Sequence, residues 1–441
     1  MKRKYKIPLT ALLLLLVSFP IHAKELTFEK SEYAMRRAAF IENIPDGVAV
    51  ILGSRTFPQN NDLNYLCGVD IPGTILIVDG IRKESIIFYS TSERYLKGEG
   101  LSAKLYSDPV GTTGIEKYYP ADQFTEVLDN LAKETGVFYT FLKTEEREKE
   151  ISASDKWDGR PSREQRFAEL LKKKYPDITI KDCSDILWKQ RQIKTAAEIE
   201  EIRKAGILGA KAMIEVMKAG HPEQYEYEVS SLFEYTCKKE GAPELAFPTI
   251  ISSAENHNYP HYSQYDRWLT DGDFLVVDAG PKINGYCIDI SISFPINGKF
   301  TPRQREIYQA CLEVSKGCIA FYKPGITGHE VGEKVRELLE AKGYDLSRNE
   351  FTRLRFFKEG GLTHWVGLIP HDAGGKDLDP DQELKPGMVF ACDLMAIFPD
   401  EDLGVRIENT VLITETGCEV LNPGIPREID EIEALMSNKD K

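Results

Sequence analysis

The sequence is poor in histidine, and its cysteines are not grouped. Only seven of the 441 residues are histidines, and the eight cysteines are scattered without a CxxC pair. An all-thiolate zinc site is therefore excluded, because such a site needs clustered cysteines. The spacing also indicates no compact disulfide framework, and we predict no particular disulfide.

Basic residues are fewer than acidic ones. The chain has 56 lysines and arginines against 70 aspartates and glutamates, a net charge of −14. Nucleic acids and anionic membrane surfaces attract positive charge, so neither is expected as a partner. Contents of 42% hydrophobic and 29% charged residues are typical of a soluble globular protein. A chain of this length predicts two or three domains.

Long hydrophobic runs are missing except at the start of the chain. There, basic residues at positions 2–6 precede an apolar run over Leu9–Ile21, and Ile21-His-Ala23 resembles a cleavage site. The run is too short, and too interrupted by Pro20, to predict a transmembrane helix. We interpret residues 1–23 as a secretory signal peptide cleaved after Ala23. This predicts a periplasmic or extracellular protein without a stable membrane anchor.

The first half of the mature chain has an alternating pattern of strands and helices. Examples are a strand over Val48–Leu52 and a helix over Arg163–Lys174, with a polar loop expected over Ser54–Asp62. The alternation predicts a mixed α/β domain over residues 24–190. We find no candidate catalytic residue in it.

The second half begins with a long predicted helix. Thr195 and Glu198 have the spacing of a capping box, in a segment over Cys183–Arg203 that combines a domain boundary with that helix. Residues 191–441 are predicted to form the second domain. The fold class is therefore α/β in the broad sense, with an α+β second domain.

A predicted hairpin in the second half brings two aspartates together. The apolar run Phe274–Val277 is followed by the turn signal Asn284-Gly285 and by an alternating strand over Cys287–Phe294. A two-residue turn would place position 278 opposite 291, with Asp289 on the same face as Asp278. Such diagonal neighbours are about 7–8 Å apart, within reach of a shared ligand. A divalent cation would offset their repulsion; the alternative is two surface aspartates beside a turn.

Other metal-ligating residue types occur in the same half. A single histidine is more often structural than a ligand, but here several candidates accumulate. Carboxylates with one imidazole suit divalent ions such as Mn²⁺, Zn²⁺ or Co²⁺. The candidates are His261, Asp278, Asp289, His364, His371, Asp393 and Glu408.

These residues lie in motifs that resemble the pita-bread metallopeptidases, in the branch of aminopeptidase P and prolidase. Shorter segments of the first half, Tyr33-Ala-Met-Arg-Arg and Asp62-Leu-Asn-Tyr-Leu-Cys-Gly-Val, are similar to the N-terminal domain of aminopeptidase P. The resemblance covers nearly the whole mature chain. Besides Asp278 and Asp289, the motifs are Thr-His364-Trp-Val-Gly-Leu-Ile-Pro-His371-Asp, Lys385-Pro-Gly-Met-Val-Phe-Ala-Cys-Asp393 and Gly404-Val-Arg-Ile-Glu408-Asn.

The resemblance implies a pita-bread catalytic domain with two divalent metal ions, manganese being favoured over zinc or cobalt. By position, Asp278 would bind one ion and His364 the other. Asp289 and Glu408 would bridge the two, and Asp393 stands where the family usually has a glutamate ligand that also shuttles the proton.

The resemblance also implies the surroundings of the metals and the reaction. His261 and His371 would line the substrate site, and Arg406 would steady the carboxylates. The reaction would be attack of water on an N-terminal Xaa-Pro peptide bond. Relatives are often oligomers, but the sequence does not decide whether this chain forms a homo-oligomer.

Two departures from the family pattern leave alternatives open. Asp393 is one methylene shorter than the usual glutamate, and Gly360 stands where prolyl peptidases of the family usually have a histidine. The leading hypothesis is an exported dinuclear metalloaminopeptidase that cleaves Xaa-Pro bonds. The second is a prolidase-like or creatinase-like hydrolase on a small substrate. The third is a catalytically impaired peptide-binding member of the fold.

Overall fold

The computed structural model describes residues 26–57, 60–143, 161–375 and 377–437. The predicted signal peptide over residues 1–23 lies outside the described residues. Among the described helices, none combines the length and the apolar character needed to cross a bilayer.

The first half folds around a six-stranded mixed sheet with the order β4-β3-β2-β1-β5-β6. The three central strands β1, β2 and β3 pair antiparallel, and β4, β5 and β6 are added in parallel. The central strands are apolar and largely buried, as expected for a sheet covered on both faces. The strands are β1 (Val48–Leu52), β2 (Ile75–Asp79), β3 (Glu84–Phe88), β4 (Lys117–Tyr119), β5 (Val137–Thr140) and β6 (Thr179–Asp182).

Seven α-helices accompany this sheet in the described ranges 26–57, 60–143 and 161–182. The second, over Asn61–Cys67, was not predicted from the sequence, and the Asn60 side chain caps it by accepting a hydrogen bond from the backbone N–H of Leu63. The prediction of a polar loop through Asp62 is therefore wrong at its end. The helices are α1 (Lys30–Ile41), α2 (Asn61–Cys67), α3 (Glu93–Gly98), α4 (Lys104–Ser107), α5 (Pro109–Thr113), α6 (Phe124–Glu134) and α7 (Arg163–Lys174).

The segment between the two halves contains two helices. Helix α8 (Ser184–Gln192) ends before an extended Ile193, and α9 (Ala196–Ala219) follows. Thr195 caps α9 and exchanges hydrogen bonds with Glu198, so the predicted capping box is confirmed.

The second half is built on an antiparallel sheet with the order β15-β16-β17-β14-β11-β9, and β18 pairs with β17. A two-stranded pair (β7, β10) and a three-stranded sheet (β8, β12, β13) flank it. The strands are β7 (Gln224–Tyr225), β8 (Glu244–Leu245), β9 (Ile250–Ser253), β10 (Trp268–Leu269), β11 (Phe274–Ala279), β12 (Pro281–Ile283), β13 (Tyr286–Cys287), β14 (Ile290–Pro295), β15 (Leu362–Trp365), β16 (Val389–Phe398), β17 (Leu403–Ile413) and β18 (Cys418–Val420).

Helices pack closely on this sheet. A Cβ at Gly206 in α9 would lie 1.8 Å from the carbonyl oxygen of Leu421, so only glycine permits this approach. The remaining helices are α10 (Glu226–Lys239), α11 (Pro302–Phe321), α12 (Gly328–Ala341), α13 (Asn349–Thr352) and α14 (Ile429–Ser437).

The eight cysteines are all free, and seven are buried.

A buried group of charged side chains joins the two halves; we call it the junction cluster, and it comprises Asp62, Arg191, Lys194 and Asp372. Arg191 Nη1 lies 2.6 Å from Asp62 Oδ1, and its Nη2 donates to Asp372. Lys194 Nζ lies 3.1 Å from Asp372 Oδ2. The cluster therefore ties helix α2 to the segment after β15.

Candidate metal centre

The register of the large sheet aligns four polar residues in one row. Asp393 on β16 pairs with Glu408 on β17, Glu408 with Ser291 on β14, and Ser291 with Asp278 on β11. Directly paired residues project to the same face of a sheet. The predicted pairing of position 278 with 291 is confirmed. The turn that fixes it has a positive φ at both Asn284 (51°) and Gly285 (90°), as a type I′ turn requires.

Asp289 joins this row from the end of the same hairpin. It precedes β14 and is anchored by Thr410: the Asp289 N–H donates to Thr410 Oγ1, which donates to the Asp289 carbonyl. Ser291 Oγ donates to Glu408 Oε2 over 2.8 Å. These two hydroxyl residues hold the carboxylates in place, and the sequence reasoning did not single them out.

His364 on β15 presents one ring nitrogen to the carboxylates. Its Nδ1 lies 2.8 Å from the carbonyl oxygen of Pro370. Because a carbonyl only accepts, Nδ1 carries a hydrogen, and Nε2 is the ring nitrogen that a metal ion could bind after displacing any proton there. Nε2 lies 3.5 Å from Glu408 Oε1 and 3.7 Å from Asp289 Oδ2. The His371 ring stacks on His364, with centroids 4.0 Å apart.

The carboxylates repel one another in a buried setting. Burial, reinforced by Glu408 and Asp278, raises the pKa of Asp289 well above its usual value. Burial likewise raises the pKa of Asp278 to about 7, although Arg406 opposes it. Burial acts in the same direction on Glu408, but Arg406 and His364 outweigh it and lower the pKa of that carboxyl to about 2.

Three of these residues fit a divalent cation. Asp289, His364 and Glu408 offer ligand atoms that all lie within 4.8 Å of one another, the one such group found among the described residues. Asp289 Oδ1 and Glu408 Oε1 are buried and have no hydrogen-bond partner in the part of the chain that the structure describes. Unpaired buried carboxylate oxygens are costly, and oxygen donors with one imidazole suit Mn²⁺, Zn²⁺ or Co²⁺.

The two other predicted ligands lie beside this group and contact an arginine. The Arg406 guanidinium contacts both oxygens of Asp393, with Nε–Oδ1 and Nη2–Oδ2 distances of 3.0 Å. Its Nη1 donates to Asp278 Oδ2, and its Nη2 lies 3.1 Å from Glu408 Oε2. All five predicted ligands are thus brought together, but Asp278 and Asp393 bind a side-chain cation of the protein.

A cavity of about 420 Å³ opens above the centre. Asp278, Asp289 and Arg406 line its floor, and His261 and His371 line its walls, where the sequence analysis expected them. Burial, reinforced by the neighbouring His364, lowers the pKa of His371 to about 3, so its ring is neutral at pH 7. Apolar wall residues are Ala246, Phe247, Pro248, Ile250, Ile369 and Pro370.

Gly360 is not placed to carry a side chain into this cavity. Its φ is +66°, and an added Cβ would lie 2.5 Å from the Gly328 carbonyl oxygen and 2.8 Å from Val331 Cβ. The position packs against helix α12 and is absent from the cavity wall described above. A histidine at this position would require the local backbone to change.

Comparison with known proteins places the centre inside a recognised domain. The family model for metallopeptidase family M24 matches residues 200–415, which include every candidate ligand. The Xaa-Pro aminopeptidase of Escherichia coli is 28% identical over 92% of this chain and 98% of its own length. Human Xaa-Pro aminopeptidase 3 is 26% identical over 87% of this chain and 77% of its own.

Solved structures agree with the sequence relatives. The low-pH form of aminopeptidase P from E. coli superposes with a TM-score of 0.79 at 26% sequence identity, covering 94% of this chain and 99% of that one. The match therefore extends over both halves of the molecule and not over the metal centre alone.

Proposed function

The chain belongs to the pita-bread family of metallopeptidases, with the mixed α/β architecture expected from its motifs, and from this premise we propose that it is an aminopeptidase that hydrolyses N-terminal Xaa-Pro peptide bonds. The observation that carries the proposal is the buried group of Asp289, His364 and Glu408 beneath a cavity with two histidines in its walls. Its similarity to Xaa-Pro aminopeptidases over nearly the full chain supports the choice of substrate.

Different residues of the site have different roles in the proposed reaction. A divalent ion held by Asp289, His364 and Glu408 would supply Lewis acidity toward the scissile carbonyl and the attacking water. His371, neutral at pH 7, is a hydrogen-bond donor for the oxygen on which negative charge develops, an interaction worth about 3–4 kcal/mol in well-studied sites. The apolar wall suits a proline ring.

Asp393 holds the family position of the proton-shuttling carboxylate, and both of its oxygens accept hydrogen bonds from Arg406. A proton shuttle at Asp393 would therefore take up the proton on an oxygen that also accepts from the guanidinium. The same pairing favours the third hypothesis, a catalytically impaired peptide-binding protein. Under that alternative, Asp393→Glu should create activity that the natural chain lacks.

The test is a peptide assay on purified protein stripped of metal and reloaded with Mn²⁺, Zn²⁺ or Co²⁺. We expect release of the N-terminal residue from an Xaa-Pro tripeptide but not from its Xaa-Ala counterpart. Glu408→Gln, checked for folding by circular dichroism, is the inactive control. Cleavage of Xaa-Pro dipeptides alone would indicate a prolidase-like enzyme, and no cleavage with any ion would refute the proposal.

We further propose that the protein acts outside the cytoplasm. The support is the sequence of residues 1–23, with its basic start and short apolar run. N-terminal sequencing of protein recovered from the periplasm or medium should begin at Lys24. Recovery of the full-length chain from the cytoplasm alone would contradict this.

A further inference from the structure

The strongest interactions of Arg406 are with two of the predicted metal ligands. Its planar fork matches the two oxygens of Asp393, an arrangement that lysine could not reproduce. Its Nη1 also donates to Asp278. All three side chains are buried. Both Asp393 oxygens accept charge-assisted hydrogen bonds from Arg406, so the guanidinium competes with a metal ion for this carboxylate.

The other three residues have free ligand atoms. Asp289 Oδ1 and Glu408 Oε1 are unpartnered among the residues described, and His364 Nε2 faces the carboxylates at 3.5 and 3.7 Å. Three protein ligands of this kind are the usual set for a catalytic ion that keeps a position open for substrate. Arg406 also contacts Glu408 through Oε2, but among the described residues only Asp289, His364 and Glu408 bring their ligand atoms within 4.8 Å of one another, whereas Asp278 and Asp393 lie on the guanidinium.

We propose that the centre binds a single divalent ion at Asp289, His364 and Glu408, and that the Arg406 guanidinium provides the second positive charge. Asp278 and Asp393 are then positioning residues that hold Arg406. The catalytic meaning of this arrangement rests on the proposed function, whereas the number of ions does not. Arg406 lines the cavity floor, so its charge is fixed beside the reacting group without any reorganisation.

Asp278 provides the decisive test of this inference. Its Oδ1 has no hydrogen-bond partner among the described residues, so a second ion would bind there in competition with Arg406. A two-ion centre needs Asp278 as a ligand, whereas a one-ion centre needs it only for Arg406. Isosteric replacement of its carboxylate therefore separates the two arrangements.

The experiment measures ions per chain by elemental analysis and affinity by calorimetry, using full-length mature protein with Mn²⁺ or Zn²⁺. We expect one ion per wild-type chain. Asp278→Asn and Asp393→Asn should retain one ion, with Kd changed by no more than about threefold. Asp289→Asn should weaken binding on the order of 100-fold or more, because it removes a ligand. Two ions in the wild type, reduced to one in Asp278→Asn, would overturn the inference, as would no ion.

A second measurement does not depend on the variants folding. Electron paramagnetic resonance of the Mn²⁺-loaded wild type should show the hyperfine pattern of an isolated ion, and an exchange-coupled spectrum would overturn the inference. The peptide assay keeps the two proposals apart. One ion without Xaa-Pro cleavage refutes the function alone, and cleavage with two ions refutes the single-ion centre alone.

Discussion

Two buried clusters of charged side chains in this molecule differ in their balance of charge. The junction cluster pairs two acids, Asp62 and Asp372, with two bases, Arg191 and Lys194. The metal centre has four carboxylates (Asp278, Asp289, Asp393 and Glu408) against one arginine and one histidine.

The pKa shifts follow this balance. Burial would raise the pKa of Asp372, but Arg191 and Lys194 outweigh it and lower that pKa to about 2. In the metal centre, burial and neighbouring carboxylates raise the pKa of Asp289 instead. The first cluster is complete within the chain and holds the two halves together. The second has excess negative charge, which is the electrostatic mark of a site that binds a cation.

The junction cluster and the metal centre are linked through adjacent residues of the chain. Asp372 directly follows His371 of the cavity wall, so the junction cluster fixes the end of the segment that carries this histidine. The junction cluster therefore helps to hold one wall of the cavity at the metal centre. Replacing the charge of Asp372 in the junction cluster should therefore lower stability, whereas replacing that of Asp289 in the metal-free centre should raise it.

The largest effect is expected from Arg191→Met. This change leaves two buried carboxylates without their arginine, and breaking a buried ion pair typically costs about 3–5 kcal/mol. Denaturant unfolding of the metal-free protein, followed by circular dichroism, measures the loss. Arg203→Met is the matched control, because Arg203 makes a comparable pair with Glu419 but keeps 32% of its side chain exposed. It should cost less than about 1 kcal/mol. Equal losses would contradict a special role for the junction cluster.

The second-largest effect is expected from Asp372→Asn, and its effect on the free energy of unfolding should depend on pH. The folded pKa of about 2 lies below the ordinary 3.8, so ionised Asp372 stabilises the fold at neutral pH. The shift corresponds to about 2 kcal/mol at pH 7, and this contribution disappears as the pH falls from about 4 to about 2. Unfolding free energies of the variant and wild type should therefore converge over that range.

The exposed Asp381 provides the comparison for this prediction. Its side chain is 81% exposed, and Asp381→Asn should change stability little at any pH. A difference between Asp372→Asn and wild type that stays constant from pH 7 to pH 2 would show that the loss arises from packing and not from charge.

Local sequence patterns were enough to predict the frame of the metal centre. The Asn284-Gly285 turn fixed the hairpin register. The predicted strand over Cys287–Phe294 is interrupted before Ile290, yet Asp289 lines the same cavity as Asp278. The capping box at Thr195 likewise located the start of the long helix. In each case the determining residues are close together in the chain.

The partners of the site residues could not be predicted in this way. Asp62 and Asp372 meet at Arg191 although the three are far apart in sequence. The resemblance implied that Arg406 steadies the carboxylates, but its two-point contact with Asp393 depends on the register between β16 and β17. The crowding at Gly360 comes from helix α12. Such features arise from contacts between residues that are far apart in sequence, whereas the sequence shows only which candidate residue types are present.

The smallest effect, and the one with the opposite sign, is expected from Asp289→Asn in metal-free protein. A carboxyl whose folded pKa is raised well above its ordinary value destabilises the fold at pH 7, because folding must either bury its charge or take up a proton. Asparagine removes this cost, so the metal-free variant should be more stable than wild type. With Mn²⁺ or Zn²⁺ at 100 times its Kd, the wild type should gain about 2.7 kcal/mol, and the variant should gain much less.

Thermal or denaturant unfolding with and without chelator measures both quantities in the same samples. Asp372→Asn is the natural control, because it also replaces a fully buried aspartate by asparagine and should lower stability with and without metal. If Asp289→Asn lowered the stability of the metal-free protein as Asp372→Asn does, the two clusters would not differ in charge balance. The case for an intrinsic cation site in the second cluster would then be lost, because its carboxylates would already be compensated within the chain.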